Sequence, residues 1–225
     1  MDLLSSDFWM GLLSIVVIDL VLAGDNAIVI GMTARNLSKD IQKRVILWGT
    51  IAAIIVRATL TVFVVWLLEI PFLMVAGGLL LIWIAYSLLT QEEKEENVEP
   101  STNVWQAIRT IVIADVVMGL DNVLAIAGAS HGSFILVILG LMVSVPIMVW
   151  GSTVILRFME RYPIIIYIGA AVLAWTASQM ITEEPAFHDV LAEYPALKWG
   201  ITVLLVAGVL FFGRMQNRKK SSSSA

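Results

Sequence analysis

Seven apolar stretches alternate with short polar segments along the chain. Their approximate limits are 8–34, 44–68, 71–90, 104–130, 133–157, 163–182 and 197–213. A helix needs about 20 predominantly apolar residues to cross the hydrocarbon core of a bilayer. The pattern therefore predicts an all-α membrane protein with seven transmembrane helices.

The basic residues between these stretches predict the orientation. Lysine and arginine cluster in loop 35–44, in loop 157–162 and in the tail after residue 213, whereas Lys198 lies on the other side. Counted alternately from the first helix, the three basic segments fall on one face of the membrane. The positive-inside rule then places the N-terminus outside and the C-terminus in the cytoplasm.

Two parts of the chain repeat. Residues 19–32 align with 115–128, and residues 71–92 align with 163–184. Together the aligned segments define two repeats of three predicted helices each. Because each repeat has an odd number of helices, the second repeat enters the membrane from the opposite face. Such inverted repeats are a recurring transporter plan. The predicted divisions are a first repeat (1–90), an acidic cytoplasmic linker (91–103), a second, inverted repeat (104–183), an external loop (184–196), one extra C-terminal helix (197–213) and a basic, serine-rich cytoplasmic tail (214–225).

Composition agrees with a membrane location and narrows the chemistry. Hydrophobic residues make up 59% of the chain and charged residues 14%, which is too little polar surface for a soluble domain. The N-terminus lacks the basic region of a cleavable signal peptide, so we expect the first apolar stretch to remain as a helix. The absence of cysteine excludes disulfides and thiolate metal sites. A net charge of −4 gives no reason to expect a nucleic-acid partner.

The repeated element is an acidic motif inside the first and fourth apolar stretches. One copy has Asp19, five further residues and then Asp25-Asn26; the other has Asp115, five residues and Asp121-Asn122. An aspartate at mid-membrane costs roughly 2.5–3.5 kcal/mol, so such residues usually hold or pass an ion. Carboxylates and carboxamides form a hard, all-oxygen ligand set that suits Mg²⁺, Ca²⁺ and Mn²⁺.

The spacing within each motif constrains the helix. On an ideal helix, Asp19 and Asp25 lie about 120° apart in angle and about 9 Å apart along the axis. One straight helix therefore cannot bring both carboxylates to a single ion. We expect a local break near Gly24 and another near Gly119, because glycine permits the unwound backbone.

Arg57 lies at the centre of the second apolar stretch, too deep to reach either headgroup region easily. We predict that it compensates the charge of the buried aspartates. Two interpretations remain open: a tethered cation that yields when metal arrives, or a fixed structural ion pair. Other polar side chains are weaker candidates for a pathway, since isolated hydroxyls in membrane helices more often satisfy their own backbone. They are Thr59, Thr61, Ser87, Ser144, Ser152, Thr176, Ser178 and Gln179.

The doubled motif, AGDNAIVI in one half and GLDNVLAI in the other, resembles that of the TerC family of bacterial membrane proteins. The resemblance covers residues 8–213 and implies a multi-pass protein of the bacterial plasma membrane that is associated with manganese efflux. It assigns the cation site to Asp19, Asp25, Asn26, Asp115, Asp121 and Asn122. The family name also refers to tellurium resistance, but tellurite is an anion that four carboxylates would repel.

The sequence thus favours a secondary transporter, and not an enzyme, that exports Mn²⁺ or a similar hard divalent cation by alternating access. The expected partners are the cation itself, protons as counter-ion and the lipid bilayer; no cofactor is expected. An intramembrane aspartyl protease is one alternative, but neither motif reads Gly-x-Gly-Asp. A metal-responsive membrane scaffold that does not transport is another.

Overall fold

The computed structural model describes residues 6–22, 24–68, 70–90, 100–129, 133–187, 191 and 193–223. These residues are almost entirely α-helical. The helices in chain order are α1 (Ser6–Leu22), α2 (Gly24–Ala34), α3 (Lys39–Leu68), α4 (Leu73–Thr90), α5 (Pro100–Ala129), α6 (Phe134–Arg161), α7 (Ile164–Thr182) and α8 (Pro195–Ser223). A 3₁₀ turn, Pro185–Phe187, lies between α7 and α8.

The helices follow the predicted apolar stretches but are longer at several ends. Helix α3 begins at Lys39, five residues before its predicted limit, and α6 continues to Arg161. Helix α8 extends to Ser223, into the predicted tail. The apolar limits mark the part of a helix that suits lipid, whereas backbone hydrogen bonds continue into the polar residues beyond. The first nine linker residues, 91–99, lie outside the described part of the chain.

Five described helices are long and apolar enough to cross a membrane, namely α3, α4, α6, α7 and α8. The pair α1–α2 makes a sixth span if its two bent pieces are counted together. The remaining predicted span falls in α5, where several side chains lie outside the described part of the chain. The described residues therefore form an all-helical, multi-pass membrane protein.

Apolar and polar residues are arranged as a membrane requires. Large hydrophobic side chains cover the outside; Trp150 is 70% exposed and Leu204 is 71% exposed. The interior holds charged residues, since Asp19 and Arg57 are almost completely buried. Lipid would cover the apolar exterior, and the buried charges must find partners inside the protein.

The helices of the two halves pack on each other reciprocally. Helix α3 packs against α5, while α6 packs against both α1 and α2. The second helix of each half thus contacts the first helix of the other half. Helices α4 and α7, the third of each half, pack together, and α8 lies against both of them. Helix α5 packs against both α1 and α3, and these three helices carry the buried Asp19, Arg57 and Asp115.

The contact between α4 and α7 depends on a glycine. A Cβ atom at Gly78 would lie 2.6 Å from Ile181 Cγ1 and 2.8 Å from the carbonyl oxygen of Ala177. The Ala177 backbone cannot move aside cheaply, so we expect Gly78→Ala to destabilise the protein by about 1–3 kcal/mol. Thermal unfolding in detergent measures this change. Gly208→Ala on α8 is the control, because a Cβ there meets nothing within 4 Å. Equal melting temperatures for the two variants would contradict the predicted close packing.

Candidate functional site

A buried arginine joins the two halves of the protein. The guanidinium of Arg57, on α3, donates from Nη1 to Asp19 Oδ1 of α1 at 2.6 Å. It donates from Nη2 to Asp115 Oδ1 of α5. The side chains of Arg57 and Asp19 are fully buried and that of Asp115 is 5% exposed. Arg57 therefore bridges the first aspartate of one motif to the first aspartate of the other.

The packing of α3 on α5 places Gly119 beside this guanidinium. A Cβ atom at Gly119 would lie 3.8 Å from Arg57 Nε, which is an ordinary van der Waals distance. Helix α5 is continuous from Pro100 to Ala129, and the predicted break near Gly119 is wrong. Glycine permits an unwound backbone but does not impose one. Here the glycine lies beside the arginine in a helix that stays intact.

The bridged group keeps an excess of negative charge. It combines one guanidinium with two carboxylates, which leaves one net negative charge when both acids are ionised. Asp19 Oδ2 and Asp115 Oδ2 are buried, and neither oxygen has a hydrogen-bond partner among the described residues. Unpaired buried carboxylate oxygens are costly in a medium of low polarity. Such oxygens can accept a proton or a metal ion.

The predicted break near Gly24 is confirmed. Helix α1 ends at Leu22 and α2 begins at Gly24, with a bend of 48° between the two pieces. Asp25 lies in the first turn of α2, where a negative charge interacts favourably with the helix dipole. The bend thus places Asp25 on a helical piece that runs in a different direction from the piece that carries Asp19.

Asp25 has its own partners and differs from Asp19 in exposure. Its Oδ1 accepts the backbone N–H of Asn26 at 2.9 Å, and its Oδ2 accepts the hydroxyl of Thr176, on α7, at 3.2 Å. Asp25 is half-buried, whereas Asp19 is fully buried. The sequence ranks Thr176 only among several weak candidates. The repeat alignment holds one stronger signal, because it pairs Thr176 with Ile84 and so marks a hydroxyl that one half lacks.

The carboxamides of the two motifs are also buried. Asn26 is 3% exposed and Asn122 is 5% exposed. Neither polar atom of the Asn26 side chain has a partner among the described residues. Asp121 lies within α5, but its side chain falls outside the described part of the chain.

The structure does not test whether the six predicted ligands meet at one point, because the side chain of Asp121 lies outside the described part of the chain. Among the described residues, no group of three or more acidic or histidine side chains has the spacing of a metal site. The structure instead brings Asp19 and Asp115 together around Arg57 and places Asp25 against α7. A single six-residue site remains a prediction, and any ion held by Asp19 and Asp115 has to compete with Arg57.

The ion pairs predict a specific pattern of stability. Arg57→Gln leaves two buried carboxylates without their counter-charge, so we expect a loss of about 3–5 kcal/mol in the free energy of unfolding. The triple variant that also carries Asp19→Asn and Asp115→Asn should recover most of that loss, since no net charge then remains buried. Thermal unfolding in metal-free detergent compares the three proteins. A triple variant no more stable than Arg57→Gln would contradict the assignment of these ion pairs.

The chain also has identifiable relatives. The family profile described as "Integral membrane protein TerC family" matches residues 4–221. The "Uncharacterized membrane protein YjbE" of Bacillus subtilis is 44% identical over 204 residues, which cover 91% of this chain and 94% of that protein. The "UPF0053 inner membrane protein YoaE" of Escherichia coli is 24% identical over 208 residues, which cover 83% of this chain and 40% of that longer protein. No solved structure shows a significant match to the chain. The extent of the family match and the identity to YjbE show that the chain belongs to the TerC family of integral membrane proteins.

Proposed function

We propose that this protein is a secondary transporter that exports Mn²⁺ or a similar hard divalent cation from the bacterial cytoplasm. The observation that carries the proposal is the bridge from Arg57 to Asp19 and Asp115 in the interior of a membrane protein. A cation already stands between the two symmetric carboxylates, and it is tethered to α3. Ionisable groups in this setting typically mark an ion pathway.

In this proposal Arg57 competes with the transported ion. A divalent cation carries more charge than the guanidinium and attracts the same two carboxylates more strongly. Binding would therefore release Arg57 from at least one acid, and departure of the ion would let Arg57 return. The empty carrier then never has to expose two uncompensated carboxylates. Protons fit as counter-ions, because the unpaired oxygens of Asp19 and Asp115 can accept them after the metal leaves.

Asp25 is suited to first contact with the ion. It is the least buried of the described motif acids, and it lies at the break between α1 and α2. Its two carboxylate oxygens are held by Thr176 and by the N–H of Asn26, so the group is oriented before the ion arrives. The ligand set consists of oxygens, which favours Mn²⁺, Mg²⁺ or Ca²⁺ over softer metals.

The proposed topology is seven transmembrane helices in two inverted three-helix repeats followed by α8. The reciprocal packing of α3 on α5 and of α6 on α1 and α2 supports it, since a two-fold axis in the membrane plane would exchange these contacts. The basic residues of loop 35–44 and of the C-terminal end support a cytoplasmic C-terminus and an external N-terminus. Alternating access would then move one repeat against the other.

The arginine bridge also bears on the alternatives. An intramembrane aspartyl protease needs two carboxylates that share one water molecule, whereas here the guanidinium of Arg57 stands between Asp19 and Asp115. We therefore propose a transporter and not an enzyme. A non-transporting scaffold would bind metal without moving it, which a flux measurement distinguishes directly.

A flux assay in sealed proteoliposomes tests this function. Purified protein should move Mn²⁺ across the membrane. A proton gradient that drives protons in the direction opposite to Mn²⁺ should accelerate that flux. Mg²⁺, Ca²⁺ and Zn²⁺ are assayed in parallel to rank the cations. Metal binding without flux would support the scaffold instead, and flux that ignores the pH gradient would exclude proton coupling.

Substitution of the second aspartate of each motif tests the residues. We expect Asp25→Asn and Asp121→Asn each to reduce Mn²⁺ flux at least about tenfold, because each removes a charged oxygen ligand. Asp40→Asn is the matched control, since Asp40 is an exposed acid in the first turn of α3. All variants are compared at equal amounts of inserted protein. Wild-type flux in the two motif variants would refute their assignment to the cation site.

A further inference from the structure

Two buried threonines lack the backbone bond that nine other described hydroxyls of this chain make. Hydroxyls in membrane helices usually bond the carbonyl four residues earlier in the same helix. Here that bond is made by Thr59, Thr61, Thr90, Thr110, Ser144, Ser152, Thr153, Thr182 and Thr202. Thr33 is 5% exposed and Thr50 is fully buried, yet neither hydroxyl has a partner among the described residues.

Both threonines share a helix face with a residue of the site. Thr33 follows Asn26 by seven residues on α2, and Thr50 precedes Arg57 by seven residues on α3. Seven residues are nearly two full turns, so each pair lies on one face and is separated by about 10 Å along the axis. Asn26 is itself a buried residue whose carboxamide lacks a partner among the described residues.

The two helices place these groups in steps toward one end of the protein. Helices α2 and α3 pack together and are joined by residues 35–38, so Thr33 and Thr50 lie on the same side of the bridge between Asp19 and Arg57. Thr50 is about 10 Å from Arg57 along α3, and Thr33 is near the end of α2. The joining segment and the start of α3 carry Arg35 and Lys39, at the predicted cytoplasmic end.

We propose that Asn26, Thr50 and Thr33 line the half-path by which a partly hydrated hard cation travels between the Arg57 bridge and the cytoplasmic end. This inference rests on the proposed transport function. Hydroxyl and carboxamide oxygens can replace part of the hydration shell of such an ion, and hydroxyls rotate freely to do so. Because these groups are neutral, they bind the ion weakly enough to let it move on.

One hydroxyl of the half-path has no counterpart in the second repeat. Continued by one position, the repeat alignment pairs Thr33 with Ala129, which has no hydroxyl. Asn26 has a counterpart in Asn122, so the carboxamide step is common to both halves. The hydroxyl step is therefore a property of the cytoplasmic side, where an exporter has to collect its ion from a large excess of other cations.

The chain contains no cysteine, which allows a direct test of accessibility. Single variants Thr33→Cys and Thr50→Cys are treated in inside-out membrane vesicles with a small, positively charged methanethiosulfonate reagent. The controls are Ala34→Cys and Ala53→Cys on the same two helices, since these alanines are 0% and 1% exposed and belong to an apolar core cluster. We expect modification at positions 33 and 50 and at least about tenfold slower modification at 34 and 53. No modification at 33 and 50, or equal rates at all four positions, would overturn the half-path.

A second measurement uses substitutions that preserve side-chain volume. Thr33→Val and Thr50→Val should each lower Mn²⁺ flux in proteoliposomes roughly tenfold, because each removes an oxygen from the path. The serine variants at both positions should retain flux. Thr153→Val is the matched control, since its hydroxyl bonds the carbonyl oxygen of Val149 at 2.7 Å.

These outcomes distinguish a failure of the proposed half-path from a failure of the proposed transport function. Modification of the cysteine variants does not require transport. If those variants are modified while the wild-type protein moves no cation, the proposed function is overturned and the hydrated path remains. Valine variants with wild-type flux would overturn the role of the hydroxyls even where the function holds. Slow flux in both the valine and the serine variants would also overturn the role of the hydroxyls, because the serine variants keep the hydroxyl and yet would lose flux.

Discussion

The Arg57 guanidinium supplies the positive charge that lets two carboxylates remain buried in the interior of this membrane protein. It contacts Asp19 on α1 and Asp115 on α5 while sitting on α3, and so links three helices from both halves of the chain. In a low-polarity interior, breaking such a pair is far more costly than breaking a surface ion pair. The bridge therefore fixes the relative positions of α1, α3 and α5. When both acids are ionised it also leaves one negative charge uncompensated, an arrangement that favours a further cation or proton.

The two aspartates of the first motif lie in different environments because the helix is broken between them. Asp19 ends up buried against Arg57, whereas Asp25 lies half-buried beside Thr176 at the start of α2. The second motif follows a continuous helix, in which Gly119 faces the arginine. Two copies of one motif thus acquire different surroundings. A near-symmetric sequence can in this way supply two dissimilar half-paths to one central group.

Much of this organisation could be predicted from the sequence. The apolar stretches predict the helices. The position of Arg57 at the centre of its stretch predicts that it pairs with the buried aspartates, because an isolated charge cannot remain unpaired in lipid. The break at Gly24 was predictable, since the spacing of Asp19 and Asp25 rules out convergence on a straight helix. The break predicted at Gly119 is absent because a glycine permits an unwound backbone without requiring one, and α5 stays continuous there. Helix ends such as Lys39 also exceeded the apolar limits.

The remaining features of the site depend on which polar side chains the packed helices bring together and which they leave without a hydrogen-bond partner. Thr33 and Thr50 look in sequence like any other membrane hydroxyl, and only their lack of partners among the described residues distinguishes them from Thr61 or Ser144. The contact between Thr176 and Asp25 joins residues 151 positions apart, beyond the reach of any periodicity. The charged centre is thus visible in the sequence, whereas the unsatisfied groups of the proposed half-path emerge only when the helices pack.

In the proposed mechanism, Arg57 competes with the transported cation for Asp19 and Asp115. Isothermal titration of Mn²⁺ into purified wild-type protein and into Arg57→Gln, in the same detergent and at the same pH, tests it most directly. Competition predicts that the variant binds Mn²⁺ more tightly, by roughly tenfold or more, because removal of the tethered charge frees both carboxylates. Equal or weaker binding by Arg57→Gln would contradict the account and leave the bridge as a fixed structural ion pair.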